Sequence, residues 1–239
     1  AGLTCACQLR REGYKVTIFE ALPVVGGMLY VGIPDYRLPK EILEKEVEGI
    51  KRLGVEIKTN APIGEEITID DLFKQGYKAA FIAVGAHRSQ RLRVPGEDAE
   101  GVIHGVDFLR DISLGKEVKT KGMVAVIGGG DVAVDSARCA LRLDADEVAI
   151  LYRRTRIEMP AREEEVEAAE TEGVRVEYLV APVEILSADG KVIGIRCIRM
   201  ELGEPDATGR RRPIPIPGSE LDLKVDIVIL AIGQMPDIS

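Results

Sequence analysis

Histidine is nearly missing from this sequence, with His87 and His104 as its whole complement, and cysteine is sparse: Cys5, Cys7, Cys139 and Cys197, no two in a C-x-x-C pair. Without such a pair there is no dithiol to shuttle electrons, which counts against a disulfide reductase, and all four thiols are read as structural rather than as metal ligands. Cys5 and Cys7, two apart on an expected helix, point to different sides. The two histidines are read as surface or hydrogen-bonding residues, so no catalytic triad is sought. No apolar run approaches the ~18 to 20 residues that a membrane span needs, and no signal peptide opens the chain. A formal charge of −8 argues against a general nucleic-acid surface. The class these absences leave is a soluble, cytoplasmic protein. With 239 residues, 46% of them apolar, it could bury one large or two modest cores.

What is present is a glycine turn in the right company. Val124 to Ile127 is a short apolar run of the kind that forms a buried parallel strand, and Val132 to Leu143 has the length and apolar spacing of the helix after it. Between them, Gly128-x-Gly130-x-x-Ala133 is a dinucleotide fingerprint with alanine in its third small position. Gly128 permits the tight turn, Gly130 lets the backbone approach a pyrophosphate, and Ala133 lets helix and strand pack closely. Free amides at the helix start, with Asp131 first, then face the phosphates.

The next strand, from Val148, ends in Tyr152, Arg153 and Arg154. A site for NAD places a carboxylate there, on the ribose 2′-hydroxyl. Guanidinium groups instead take the oxygens of a 2′-phosphate, so NADPH is favoured over NADH. The plainer alternative is a pair of solvated surface charges.

A second unit opens the chain. Leu3 to Arg10 suits a helix, Gly13 a cap and Val16 to Phe19 a strand, with Glu20 at the strand end where a ribose-binding carboxylate belongs. Gly2 is then the third small residue of a fingerprint whose first strand and first two glycines are expected ahead of residue 1.

Together these pieces resemble the NADPH-dependent flavoprotein subunit of glutamate synthase and its relatives, among them the corresponding part of dihydropyrimidine dehydrogenase and subunits of ferredoxin-linked oxidoreductases. The resemblance spans nearly the whole chain. It rests on Val16 to Ala21, Gly26 to Pro39, Ala83 to Ala86, Gly128 to Asp135, Tyr152 to Arg154 with Met159 to Arg162, and Ala231 to Pro236. It implies an α/β flavoprotein with two Rossmann-like dinucleotide-binding domains, on the plan of glutathione and thioredoxin reductases, in which the NADPH domain is inserted into the FAD domain. Residues 1–115 would begin the FAD domain, 116–229 would form the NADPH domain, and 230–239 would return to the first, truncated at both ends.

Carried over by position, the resemblance puts Gly2 and Glu20 at the adenine–ribose end of FAD. Gly26, Gly27, Met28, Leu29 and Arg37 fall on the flavin side, and Val84, Gly85 and Ala86 in a turn near the FAD pyrophosphate. Gly128, Gly130, Asp131 and Ala133 would hold the NADPH pyrophosphate, Arg153 and Arg154 the 2′-phosphate, with Arg162 a further candidate. Gly233 lies in the crossing back to the FAD domain. A flavin-edge role for His87 is not favoured. The activity implied is hydride transfer from NADPH to FAD, with electrons leaving through iron–sulfur clusters to a partner such as the glutamate synthase large subunit, a ferredoxin, a pyrimidine-reducing domain or a quinone. The cysteine-rich cluster segment of that family and its Gly-Asp motif for the flavin ribityl chain are absent from these 239 residues, so iron–sulfur clusters are expected only in a missing N-terminal segment or a partner. A flavin-free NADPH-binding module is the rival from another class.

Of the remaining elements, Glu41 to Leu53 is expected as a helix, Val55 to Lys58 and Ala79 to Val84 as strands, and Val106 to Ile112 as a helix. A domain boundary is expected near Leu114 to Lys121. Ala161 to Glu172 reads as an acidic, solvated helix and Val174 to Val180 as a strand. Val183 to Ser187 and Val192 to Met200 read as a hairpin turning at Asp189 and Gly190, Arg210 to Arg212 as an exposed loop, and Val225 to Ile232 as a strand.

Overall fold

The computed structural model describes residues 1–64, 66–207 and 209–238, and the chain divides into two units, Ala1–Arg88 with the residues from Met235 onward, and Ser89–Gln234. The two-residue strands β3 (Arg88–Ser89) and β12 (Gln234–Met235) lie at the two passages between them.

The first unit runs α1 (Gly2–Arg11), β1 (Thr17–Phe19), α2 (Met28–Val31), α3 (Lys40–Arg52), β2 (Glu56–Lys58) and α4 (Ile69–Lys74). β1 and β2 pair in parallel, Thr17 opposite Glu56 and Phe19 opposite Lys58. Helix α3 turns Leu43 and Val47, four residues apart, to the interior. A reciprocal capping box between Thr68 and Asp71 starts α4. One expectation needs correction. Ala79 to Val84 joins no sheet, and Phe81, Ile82 and Val84 are 61%, 64% and 50% exposed. An apolar run specifies burial, but a strand also needs a neighbouring backbone to satisfy its amides and carbonyls, and among the described residues the sheet here consists of β1 and β2.

In the second unit come β4 (Val102–His104), α5 (Gly105–Ser113), β5 (Met123–Ile127), α6 (Asp131–Arg142), β6 (Glu147–Tyr152), α7 (Glu163–Glu172) and β7 (Arg175–Tyr178), then β8 (Val180–Ala188), β9 (Lys191–Pro205), β10 (Arg211–Leu223) and β11 (Ile227–Leu230). A parallel sheet has the order β4-β11-β5-β6-β7, and an antiparallel sheet the order β10-β9-β8. Because β4 pairs with β11 inside this sheet, the segment from Val102 through α5 belongs to the second unit, and the expected link at 114–121 falls within it, between α5 and β5.

β5 is buried on both faces for a reason visible in its alternation. Val124 and Val126 meet Phe108, Ala133, Ala137, Val166 and Ala169 from the helices. Ala125 and Ile127 face Ile185, Ile195 and Cys197 of the antiparallel sheet. The sequence predicts a two-stranded hairpin here, and the structure adds a third strand, β10. Pro213, Pro215 and Pro217 interrupt its sequence, a pattern tolerated because β10 is an edge strand, bonded among the described residues to β9. Arg211 and Arg212, expected in a loop, open this strand.

The chain crosses the sheet in one direction from β4 through β5 and β6 to β7, then returns to place β11 between β4 and β5, so the strand order reverses between β11 and β5. In sheets of this kind, ligands bind outside the carboxyl ends of the strands at such a point.

Candidate functional site

The three glycines after β5 are glycine for different reasons. Gly128 has φ of 147°, and a β-carbon there would run into the Ala231 carbonyl. On Gly129 it would enter the Tyr152 ring. Gly130 has an ordinary φ of −94° as the N-cap of α6, and its nearest neighbour would be Pro160 Cγ, at 3.8 Å. Packing within the protein therefore explains the first two but not the third, whose open side is the room a pyrophosphate needs to reach the first amides of α6. Ala133 is fully buried and would lie 3.3 Å from a β-carbon on Gly128, the close helix–strand approach expected of a third small residue.

The 159–162 loop is stitched to this turn. Ala161 N donates to Gly129 O at 3.1 Å and Arg162 N to Asp131 Oδ1 at 3.3 Å. Arg162, the N-cap of α7, is thus beside the glycines, its guanidinium exposed and 3.4 Å from Glu165.

Strand β6 lies next to β5, Leu151 opposite Ile127, so its end adjoins the turn. Successive side chains on a strand point opposite ways, and the two arginines beyond the strand have different fates. Arg153 is exposed and makes no hydrogen bond or ion pair with the described residues. Arg154 is 6% exposed. Its Nε donates to Arg211 O at 2.7 Å and its Nη2 to Asp206 Oδ2 at 3.1 Å. Tyr152 OH donates to Glu158 O at 2.6 Å, while the Glu158 carboxylate accepts from the Thr155 amide at 3.2 Å and from its hydroxyl. Sequence reasoning missed Asp206 and Glu158. A signal existed for Glu158 alone, since Thr155-x-x-Glu158 is a capping-box spacing.

In the first unit, Glu20 follows β1. Its Oε1 accepts from Leu22 N at 2.9 Å, and its own amide donates to Lys58 O at 2.9 Å. The carboxylate is thus fixed at the strand end. Gly26 and Gly27 have φ of 131° and 57°, and a β-carbon on Gly26 would press on Leu43. They lead into α2, which carries Met28 and the half-exposed Leu29. Arg37 sits on a turn, its amide donating to Pro34 O at 3.0 Å. Gly2 opens α1, 3.4 Å from Ala83 Cβ by its would-be β-carbon, which brings the helix start near Val84, Gly85 and Ala86, with Gly85 at φ of 68°.

His87 lies beside Gly85, and His104 ends β4. Gly233 O accepts from Gln90 N at 3.0 Å. All four cysteines are free thiols. Burial pushes Cys139 and Cys197 up to about 12.

Along residues 1–239 the sequence matches the family described as pyridine nucleotide-disulphide oxidoreductase. The chain belongs to that family. Among its relatives, the chain is 54% identical over 242 residues to the NADP(+)-dependent formate dehydrogenase subunit beta of Moorella thermoacetica, covering 100% of this chain and 34% of that protein. It is 49% identical over 245 residues to the NADPH-Fe(3+) oxidoreductase subunit beta of Geobacter sulfurreducens, covering 100% and 36%. It is 38% identical over 250 residues to the glutamate synthase [NADPH] small chain of Escherichia coli, covering 99% and 52%. The chain thus spans about a third to a half of the length of these relatives. The resemblance drawn from the motifs is borne out.

Mycobacterium tuberculosis FprA, solved in complex with NADPH, superposes with a TM-score of 0.79 at 21% identity, over 98% of this chain and 68% of that one. Lactococcus lactis thioredoxin reductase gives 0.67 at 22%, over 98% and 75%. The fold is the two-domain α/β plan of these reductases.

Proposed function

We propose that this chain is the FAD- and NADPH-binding part of an NADPH-dependent flavoprotein oxidoreductase, which moves a hydride from NADPH to FAD and passes electrons to an iron–sulfur acceptor in an adjoining segment or partner subunit. The observation that carries this reading is Arg153. It is an exposed guanidinium with no partner among the described residues, following the strand next to the glycine turn, where a carboxylate would favour NADH. The relatives' names, a small chain and two beta subunits of NADP-linked enzymes, support the nucleotide and a multi-subunit setting.

In this reading Gly128, Gly130, Asp131 and Ala133 shape the pyrophosphate cradle at the start of α6, Arg153 takes the 2′-phosphate, and Arg162 flanks it. Glu20 holds the ribose of the FAD adenosine beside the start of α1 at Gly2. Gly26, Gly27, Met28, Leu29 and Arg37 border the flavin side, and Val84, Gly85 and Ala86 the FAD pyrophosphate. NADPH supplies the hydride and FAD the capacity to accept it and release electrons singly. The side chains orient and screen, and no general acid or base is required of them.

The test is a visible spectrum of the purified chain after incubation with FAD and gel filtration, followed by anaerobic NADPH. Retained flavin absorbance that bleaches is the expected result. A colourless protein that still binds NADPH would reduce the chain to a nucleotide-binding module.

A further inference from the structure

The two consecutive arginines do not do the same work. Arg154 is withdrawn into the protein and spans from the end of β6 to the β9–β10 hairpin, where it meets Asp206 and the Arg211 carbonyl at 3.1 and 2.7 Å. Its backbone is engaged as well, since Leu179 N donates to Arg154 O at 3.1 Å. A guanidinium that is 6% exposed and holds a carboxylate and a carbonyl cannot turn to a nucleotide without breaking both contacts. Arg153 stands between this anchored neighbour and Tyr152, itself held through its hydroxyl to Glu158 and through its ring beneath Gly129. The exposed arginine is thereby carried on a backbone pinned from both sides.

We propose that Asp206, on the tip of the antiparallel hairpin, is a positioning residue for nucleotide selection: by holding Arg154 it fixes the strand end from which Arg153 meets the 2′-phosphate. This rests on the assignment of Arg153 to that phosphate. It makes the hairpin a part of the specificity apparatus and not only the cover over one face of the parallel sheet. Arg154 then serves as a strut, with no contact to the nucleotide.

Two fragments isolate the effect without any flavin: 2′,5′-ADP, which carries the 2′-phosphate, and 5′-AMP, which does not. Their affinities for the 239-residue chain are measured by calorimetry for D206N, D206E, R153A, R154A and the double variant D206N/R153A, each confirmed folded by its melting curve. D206N is expected to weaken 2′,5′-ADP about three- to tenfold with 5′-AMP unchanged, and to add nothing once Arg153 is gone, because residues acting through one another are non-additive. D206E is expected to recover part of the loss by restoring the charge. Additive losses in the double variant, or a D206N protein indistinguishable from the parent toward both fragments, would overturn the proposal. So would a selective loss in R154A while D206N binds normally, for Arg154 would then touch the phosphate itself. The assignment beneath it fails in a separate way, if R153A treats the two fragments alike.

Discussion

Tyr152 occupies with its ring the volume that a side chain on Gly129 would need, and its hydroxyl ties the same ring to the Glu158 carbonyl at 2.6 Å. The glycine turn after β5 and the strand end after β6 are therefore locked together by an aromatic ring that cannot swing aside without losing a buried hydrogen bond. Gly129→Ala is expected to overpack this contact and cost about 1 to 3 kcal/mol in chemical denaturation. A G129A protein as stable as the parent would show that the ring yields freely.

Gly130 is the contrasting case. With only Pro160 near, at 3.8 Å, a methyl group fits within the protein. Gly130→Ala should cost at most about 1 kcal/mol, the loss of a glycine at the N-cap of α6, while weakening any dinucleotide whose pyrophosphate must approach the backbone there. Calorimetric titration with NADPH checks this. Undiminished affinity would remove Gly130 from the cradle.

Charge reversal at Arg153 sharpens the nucleotide assignment. Arg153→Glu replaces a partner of the 2′-phosphate with a repelling carboxylate, and the loss of even one charged hydrogen bond costs about 1.5 to 3 kcal/mol. NADPH binding should fall at least about tenfold while NADH binding holds or improves. Equal losses for both would mean that this arginine is a solvated surface charge.

Much of this was legible in the sequence, for a physical reason. Strand β5 and helix α6 have periods and punctuation that agree with their surroundings, so Val124 to Ile127, the glycines and Ala133 announce strand, turn and helix unaided. Other features depend on partners distant in the chain. Arg153 and Arg154 look alike in sequence, and only Asp206 and the Arg211 carbonyl, more than fifty residues on, separate their roles. Ala79 to Val84 has the composition of a buried strand yet lies outside any sheet, because pairing is a property of two segments and not of one. β10 was hidden by prolines that only an edge position allows.

The thiols offer a test of the chemistry that the sequence disfavours. Burial drives Cys139 and Cys197 up to about 12, so at neutral pH they hold almost no thiolate, the nucleophilic form. Native protein treated with iodoacetamide at pH 7.5 should remain unmodified at both positions by mass spectrometry, and should become modified there in denaturant. Rapid labelling of either in the native state would reopen a thiol-based redox role.

Glu172 makes the acid stability of the second unit predictable in sign. It accepts from Arg138 and Arg142 of α6, each at 2.7 Å, and so clamps the end of α7 to its neighbour. Burial by itself raises the carboxyl, but the hydrogen bonds and charges of the two arginines outweigh it and carry Glu172 from 4.5 down to about 2. A carboxyl held below its unfolded value contributes in full above the unfolded value and loses that contribution as pH falls toward the folded one. The clamp is therefore complete at neutral pH and weakens between about pH 4.5 and 2. Glu172→Gln, which loses the charge at every pH, is expected to cost about 1 to 3 kcal/mol at pH 7. Urea denaturation of parent and variant at pH 7 and pH 3 checks the sign, because subtracting one from the other cancels the titration of every other carboxylate. The gap between them should narrow at pH 3, and a gap of constant size would show that the arginines hold Glu172 by geometry and not by its charge.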